Sequence, residues 1–305
     1  MTRRRGAGFT LMEMVVSIVL LGIVGTTIGA FMIPAINAHR DVERRAALVD
    51  ATESALRRMS RDIRLALPNS VRITNLGNGF AIEMIPTVDG ARYCTSGIAN
   101  CAGAAQLLDF SGSDTDFDIL GCFRNATFTG SPGSGYRLVI GDASGLVYSA
   151  SGSPAVMTPS ATTISLTTVT GGGATPGACG TSSGANTSNR HHVTLSAGHQ
   201  FSTASSRQRV FVVQMPATYI CNFSTGTLTR YAGYAIQASQ PTDGSSAPLS
   251  TAPAIGRVTG DVSACSITTT TADVQSRSVL TLILALTSSG ESVQLLSQVQ
   301  VDNSQ

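Results

Sequence analysis

A carboxylate stands where apolar surroundings make one costly. Glu13 lies five residues into a hydrophobic run that begins at Phe9, and Met14 to Ala38 then holds no charged residue. An ionised group near the start of a membrane helix needs a partner. A short basic leader, Arg3-Arg4-Arg5-Gly6-Ala7-Gly8, precedes the run. Gly8 is the one good small-residue cleavage site, and it lies ahead of the apolar segment. An ordinary secretory signal carries such a site after its apolar region. Cleavage between Gly8 and Phe9 would keep the apolar segment on the mature chain and create a cationic amine on Phe9. Within one helix that amine points back along the axis and meets Glu13 poorly. Between adjacent subunits the two charges can pair and fix the axial register of otherwise featureless apolar helices.

Other residues invite chemistry and supply less of it. Asp114, Asp116 and Asp118 form an Asp-x-Asp-x-Asp pattern that could seed a calcium loop. Ile119 stands where an EF-hand loop needs glycine, and Asn125 where it needs glutamate. A solvated turn before a strand at Phe117–Leu120 is the plainer reading. His191, His192 and His199 have no carboxylate nearby in sequence and read as surface histidines; no metal site is assigned. Gly171-Gly172-Gly173 lacks the Lys-Ser/Thr of a phosphate loop. No Gly-x-Ser-x-Gly elbow marks a nucleophile, so no catalytic residue and no cofactor is expected. Arg57, Arg58, Arg61 and Arg64 would form a basic helical face, either solvated or set against a neighbour's acidic patch or lipid headgroups.

Six cysteines, Cys94, Cys101, Cys122, Cys179, Cys221 and Cys265, are dispersed, with no Cys-x-x-Cys pair. Behind a membrane-targeting segment, an even set implies an oxidising compartment and disulfides. Cys94–Cys101 would close a small local loop. Cys221–Cys265 would link two parts of the C-terminal strand region.

The elements that must position these groups are a helix and a set of strands. The uncharged run is long enough to cross an apolar bilayer core of roughly 30 Å. The helix continues beyond it. Val42, Ala46, Val49, Leu56, Met59, Ile63 and Leu67 recur mostly every three or four residues as one apolar stripe. Asp41/Arg45 and Glu53/Arg57 fit i,i+4 pairs on other faces. Pro68 ends the helix. From Phe9 to Leu67 it would be about 90 Å long, with Pro34 and Gly22, Gly25 and Gly29 as points that could bend or loosen it. Past Asn69 the period becomes two. Val71–Ile73, Phe80–Ile85, Tyr136–Ile140, Leu146–Tyr148, Thr162–Val169, Val210–Met215, Thr218–Phe223, Thr227–Tyr234, Val279–Leu286 and Ser292–Val301 read as strands. Hairpin turns are expected at Ser224-Thr225-Gly226 and at Ser288–Glu291. Residues 150–160, 171–189 and 239–256 read as long surface loops. The class is α+β: a long N-terminal helix on a large β-rich head.

With 12% charged residues and a net charge of +2, the chain lacks the concentrated basic face that nucleic acid requires. The leader, Gly8-Phe9-Thr10-Leu11 and Glu13 together resemble the N-terminus of type IV prepilins and pseudopilins. The resemblance implies cleavage between Gly8 and Phe9 by a prepilin peptidase, N-methylation of Phe9, and Glu13 as a register residue in assembly. It also implies partners: other minor and major pilins, an inner-membrane assembly platform and the lipid bilayer. Residues 1–8 would be leader, 9–36 a transmembrane helix, 37–67 an amphipathic helix entering the head, and 68–305 a periplasmic and later extracellular head. The chain would first be a single-pass inner-membrane protein and then part of a pilus. Ala55–Ser70, Gly226–Tyr231, Gly290–Val293 and Gln298–Asn303 are similar to minor pilins of the mannose-sensitive haemagglutinin (MSHA) type IV pilus system. A minor pseudopilin of type II secretion shares the N-terminal pattern. A membrane-anchored adhesin or periplasmic enzyme would instead need a clustered site in the head.

Overall fold

A computed structural model describes residues 10–96, 101, 106–125, 135–141, 146–149, 155–170, 173–175, 190–272 and 277–302. One helix, α1 (Leu11–Arg64), comes first and runs for 54 residues, about 80 Å at the usual rise. Strands follow in the order β1 (Arg72–Leu76), β2 (Gly79–Met84), β3 (Thr87–Tyr93), β4 (Asp114–Leu120), β5 (Arg137–Val139), β6 (Ile164–Thr170), β7 (Gly173–Thr175), β8 (Arg190–His199), β9 (Arg209–Val213), β10 (Ala217–Asn222), β11 (Thr227–Ala232), β12 (Ala254–Thr259), β13 (Val262–Ala272), β14 (Arg277–Ser288) and β15 (Glu291–Asp302). The architecture is α+β, a long apolar N-terminal helix with a head of three antiparallel sheets. Their strand orders are β1-β2-β10-β11-β12, β13-β14-β15 and β5-β9-β3-β4-β8-β6-β7.

Thr10 caps the start of α1: its side chain accepts a hydrogen bond from the Glu13 amide at 3.3 Å. Thr10-x-x-Glu13 has the spacing of a capping box, and an acid in the first turn suits the positive end of the helix dipole. The helix runs through Pro34 without a break. At its other end the chain steps directly onto a sheet. The Leu67 amide donates to the Ile85 carbonyl at 2.8 Å and the Thr87 amide to the Leu65 carbonyl at 2.7 Å, so the Leu65 carbonyl, past the last helical turn, finds a strand partner.

The second half of α1 lies between two sheets. Leu48, Ala55, Leu56, Met59 and Ile63 share one core with Phe80, Ile82 and Met84 of β2, Tyr219 of β10, Leu228 of β11 and inward residues of β13, β14 and β15. The expected stripe is therefore right from Leu56 onward and wrong before it. Val42 is 67% exposed, Ala46 and Val49 are exposed as well, and the first buried position is Leu48. Asp41 pairs with Arg44, three residues on, rather than with Arg45. Glu53 does pair with Arg57, through Nε at 3.1 Å.

β2 is buried along its whole length because both faces of its sheet are covered, which turns an alternating pattern into a continuous one. Phe80, Ile82 and Met84 face α1, while Ala81 and Ile220 face a second cluster with Tyr234, Leu249 and Ala252. The latter two belong to the Pro/Ser/Thr-rich stretch 239–256, which thus covers a sheet. Gly79 opens β2 at φ +146°, and a Cβ there would lie 2.0 Å from the Cys221 carbonyl oxygen; only glycine lets β10 approach so closely.

The seven-stranded sheet has its own core of Tyr93, Phe117, Ile119, Leu138, Val193, Phe201, Val210 and Val212, among others. Two hairpins form at the expected turns. β10 and β11 pair from Asn222↔Thr227. β14 and β15 pair from Ser288↔Glu291 across Ser289 and Gly290, both at positive φ, as a two-residue hairpin turn of the right twist requires. Leu146–Tyr148 is a 3-10 turn, not a strand. β8 forms where no strand was expected.

Candidate functional site

The first half of α1 is where sequence and geometry point to function. Among the described residues, α1 is one helix long and apolar enough to cross a membrane, and none of its most apolar window is buried within the chain. Leu11, Met12, Ile18, Leu20, Leu21, Phe31 and Ile33 are all exposed. The three hydroxyl side chains between Met14 and Ile36 are satisfied within the helix. Ser17 donates to the Glu13 carbonyl at 2.7 Å, Thr26 to Gly22 at 3.0 Å and Thr27 to Ile23 at 3.0 Å. A segment with no unsatisfied hydroxyl can enter hydrocarbon at little cost. Gly22, Gly25 and Gly29 present open backbone, with nothing within 4 Å of a would-be Cβ.

Glu13 sits exposed on the first turn. The next charged residue along the chain is Arg40, about 40 Å away along the helix. The chain thus offers this carboxylate no cation from the helix body. Gly8 and Phe9, the expected cleavage pair, lie outside the described residues.

The second half of α1 carries polar contacts that tie it to the head. Asp62 accepts from the Tyr219 hydroxyl at 2.7 Å and from Arg230 Nε at 2.9 Å. Burial and the adjacent carboxylate push the Tyr219 phenol upward, so it stays a donor. Ser60 and Ser297 of β15 are 3.1 Å apart through their hydroxyls. These partners are more than 150 residues apart in sequence.

A second buried network, absent from the sequence reading, stands behind the sheet. Glu83 is fully buried. Arg72 donates to it through Nε at 2.8 Å, and Tyr234 donates at 2.7 Å. The Arg72 guanidinium stacks 3.6 Å from the Tyr148 ring centroid and also donates to the Ala238 carbonyl at 2.7 Å. Desolvation raises the Glu83 carboxyl above its usual range, against the pull of Tyr234 and Arg72. Every partner in this network comes from the chain itself.

Disulfides join Cys94 to Cys101 and Cys221 to Cys265. The second links β10 to β13 and so ties together the two sheets that hold α1. Cys122 is also disulfide-bonded, and Cys179 lies outside the described residues.

Asp114, Asp116 and Asp118 do not form a turn. They lie along β4, where Asp118 is buried and accepts from Arg190 Nε at 2.6 Å and pairs with His192 Nδ1 at 2.7 Å. His192 Nε2 lies 3.4 Å from Asp116. Among the described residues no group of three or more His, Cys, Asp or Glu is placed to hold a metal ion. The histidines are not the surface residues expected: His191 and His199 are buried. His191 Nδ1 accepts the Phe123 amide at 3.2 Å, and His199 Nε2 is 3.1 Å from the Ala155 carbonyl. Desolvation lowers both imidazole pKa values. The missed signal was the β4–β8 pairing itself, which sets Asp118 opposite His192.

Residues 3–29 match the family model described as the prokaryotic N-terminal methylation motif. No curated protein and no solved structure matches the chain. The match spans the leader, Gly8, Phe9 and Glu13, the residues singled out by their chemistry, and it supports a type IV pilin-like chain: a membrane-anchored protein with a methylation-type N-terminus.

Proposed function

We propose that this chain is a minor type IV pilin, MshO-like, that acts in assembly or initiation of an MSHA-type pilus and carries out no reaction of its own. The observation that carries the reading is the combination of the methylation motif with an apolar half-helix that none of the described residues of the head covers. A prepilin peptidase removes residues 1–8 and methylates Phe9. The freed amine of one subunit then pairs with Glu13 of its neighbour as the helix passes from the inner membrane into a filament core. The periplasmic head rides on the second half of α1. The pilus assignment, rather than a type II secretion pseudopilin, rests on the similarity of Ala55–Ser70, Gly226–Tyr231, Gly290–Val293 and Gln298–Asn303 to MSHA minor pilins.

N-terminal mass spectrometry of the protein from its native membrane tests the processing step. A mature chain beginning at methylated Phe9 is expected, and Gly8→Leu should leave Met1 in place. An intact Met1 on the native protein would contradict the reading. Recovery with a pilus platform rather than a secretion platform in pull-down tests the finer assignment.

A further inference from the structure

β15 is the outer strand of its sheet; among the described residues it pairs with β14 alone. Its sequence from Glu291 to Asp302 contains no Lys, Arg or Pro, and its two acids stand at its ends, so its middle lacks the charges and prolines that usually blunt such an edge. A groove of about 780 Å³ runs between this strand and α1. Leu295, Leu296 and Ser297 all line it. Consecutive strand residues point to opposite faces, so a groove touching all three follows the strand's open edge rather than one face. Leu296 is 59% exposed there. The opposite wall is α1, which contributes Leu56 and three arginines, Arg57, Arg61 and Arg64, against one glutamate, Glu53, which pairs with Arg57 and leaves a positive excess.

We propose that this edge accepts an extended acidic segment of a partner protein as a fourth strand, its backbone pairing with β15, its apolar side chains on Leu56 and Leu296 and its carboxylates on Arg57 and Arg61. Strand addition draws affinity from main-chain hydrogen bonds and selectivity from alternate side chains, and the arginine wall selects for acids. Lipid headgroups do not fit the same site. Arg57 lies 21 residues beyond Ile36, the end of the apolar run, which places it about 32 Å further along the helix.

The test uses the full chain in dodecyl maltoside and a fluorescent alternating Asp/Val peptide, followed by anisotropy. The peptide should bind. Binding should fall roughly tenfold or more in an Arg57→Glu/Arg61→Glu variant, which should in turn prefer an alternating Lys/Val peptide. A central proline in the Asp/Val peptide should cost a similar factor, because it removes a ladder donor. Far-UV circular dichroism of the variant reports that the head is intact; if it is not, the proline comparison on the unaltered chain decides. Equal binding of the Lys/Val and Asp/Val peptides, or indifference to proline, would overturn the proposal. So would displacement by soluble dihexanoyl phosphatidylglycerol at equal concentration, which assigns the groove to lipid. Self-association abolished by the double variant would assign it to a second copy and overturn it likewise.

Discussion

The two halves of α1 share a helix and differ in everything else. From Leu11 to Ile36 the side chains are mostly apolar and exposed, with Glu13 the one charge; from Leu48 to Ile63 one face is buried and mostly apolar, and most of the rest is polar or charged. The second half finds its environment within the chain: two sheets close on it, Asp62 is held by Tyr219 and Arg230, and Ser60 meets Ser297. Among the described residues the first half finds none. An apolar surface of that size must be covered by lipid or by other helices. The helix is thus a fixed mount at one end and a contact made only outside the subunit at the other.

The difference can be broken most severely from the mounted half. Met59 is buried at the centre of the grip, so Met59→Ala should lower head stability by about 2–5 kcal/mol. Leu20→Ala, in the bare half, should leave it unchanged. Denaturant melts of both variants in one detergent, read by near-UV circular dichroism, give the contrast, and equal losses would erase it. Asp62→Asn should cost about 1–3 kcal/mol, since it leaves Arg230 and the Tyr219 hydroxyl with a weaker partner. Hydrogen exchange in β10 and β11 should quicken while the β8 amides keep their protection.

Acid should act on the other part of the head. Folded His191 and His199 have lowered pKa values through desolvation, so each is held neutral while the unfolded chain takes up protons near pH 6.5. Their contribution is complete above the unfolded value and is lost as pH falls through the lower folded values. Glu83 has the opposite sign. Its raised pKa gives a contribution complete below the unfolded value and lost as pH rises through the folded one. Lowering the pH from about 7 to about 5 should therefore deprotect β8 amides more than those of β2, and His199→Gln should reduce that change. Uniform loss of protection would contradict the assignment.

What could be read in advance was local. The uncharged run and Pro68 mark α1 to within three residues of its observed ends, and Gly226 and Ser289-Gly290 mark two hairpins, because those signals act within a few residues. The buried face of the helix was misplaced at Val42–Val49 because the turn-by-turn pattern there permits more than one stripe, and where the sheets close decides among them. Glu83, Asp118 and His191 were misjudged or passed over because their burial depends on remote partners: Tyr234 lies 151 residues from Glu83, and Arg190 lies 72 from Asp118. Glu13 was legible for the converse reason. Its oddity lies in its immediate neighbours, and the fold adds no cation from the helix body.

The most direct test of that claim is Glu13→Ala in the native cell, followed by comparing membrane and sheared-filament fractions. The substituted chain should be processed at Gly8, inserted in the membrane at normal level and absent from filaments. Incorporation at the unaltered level would show that Glu13 does not set the register, and that the bare half of α1 assembles by apolar contact alone.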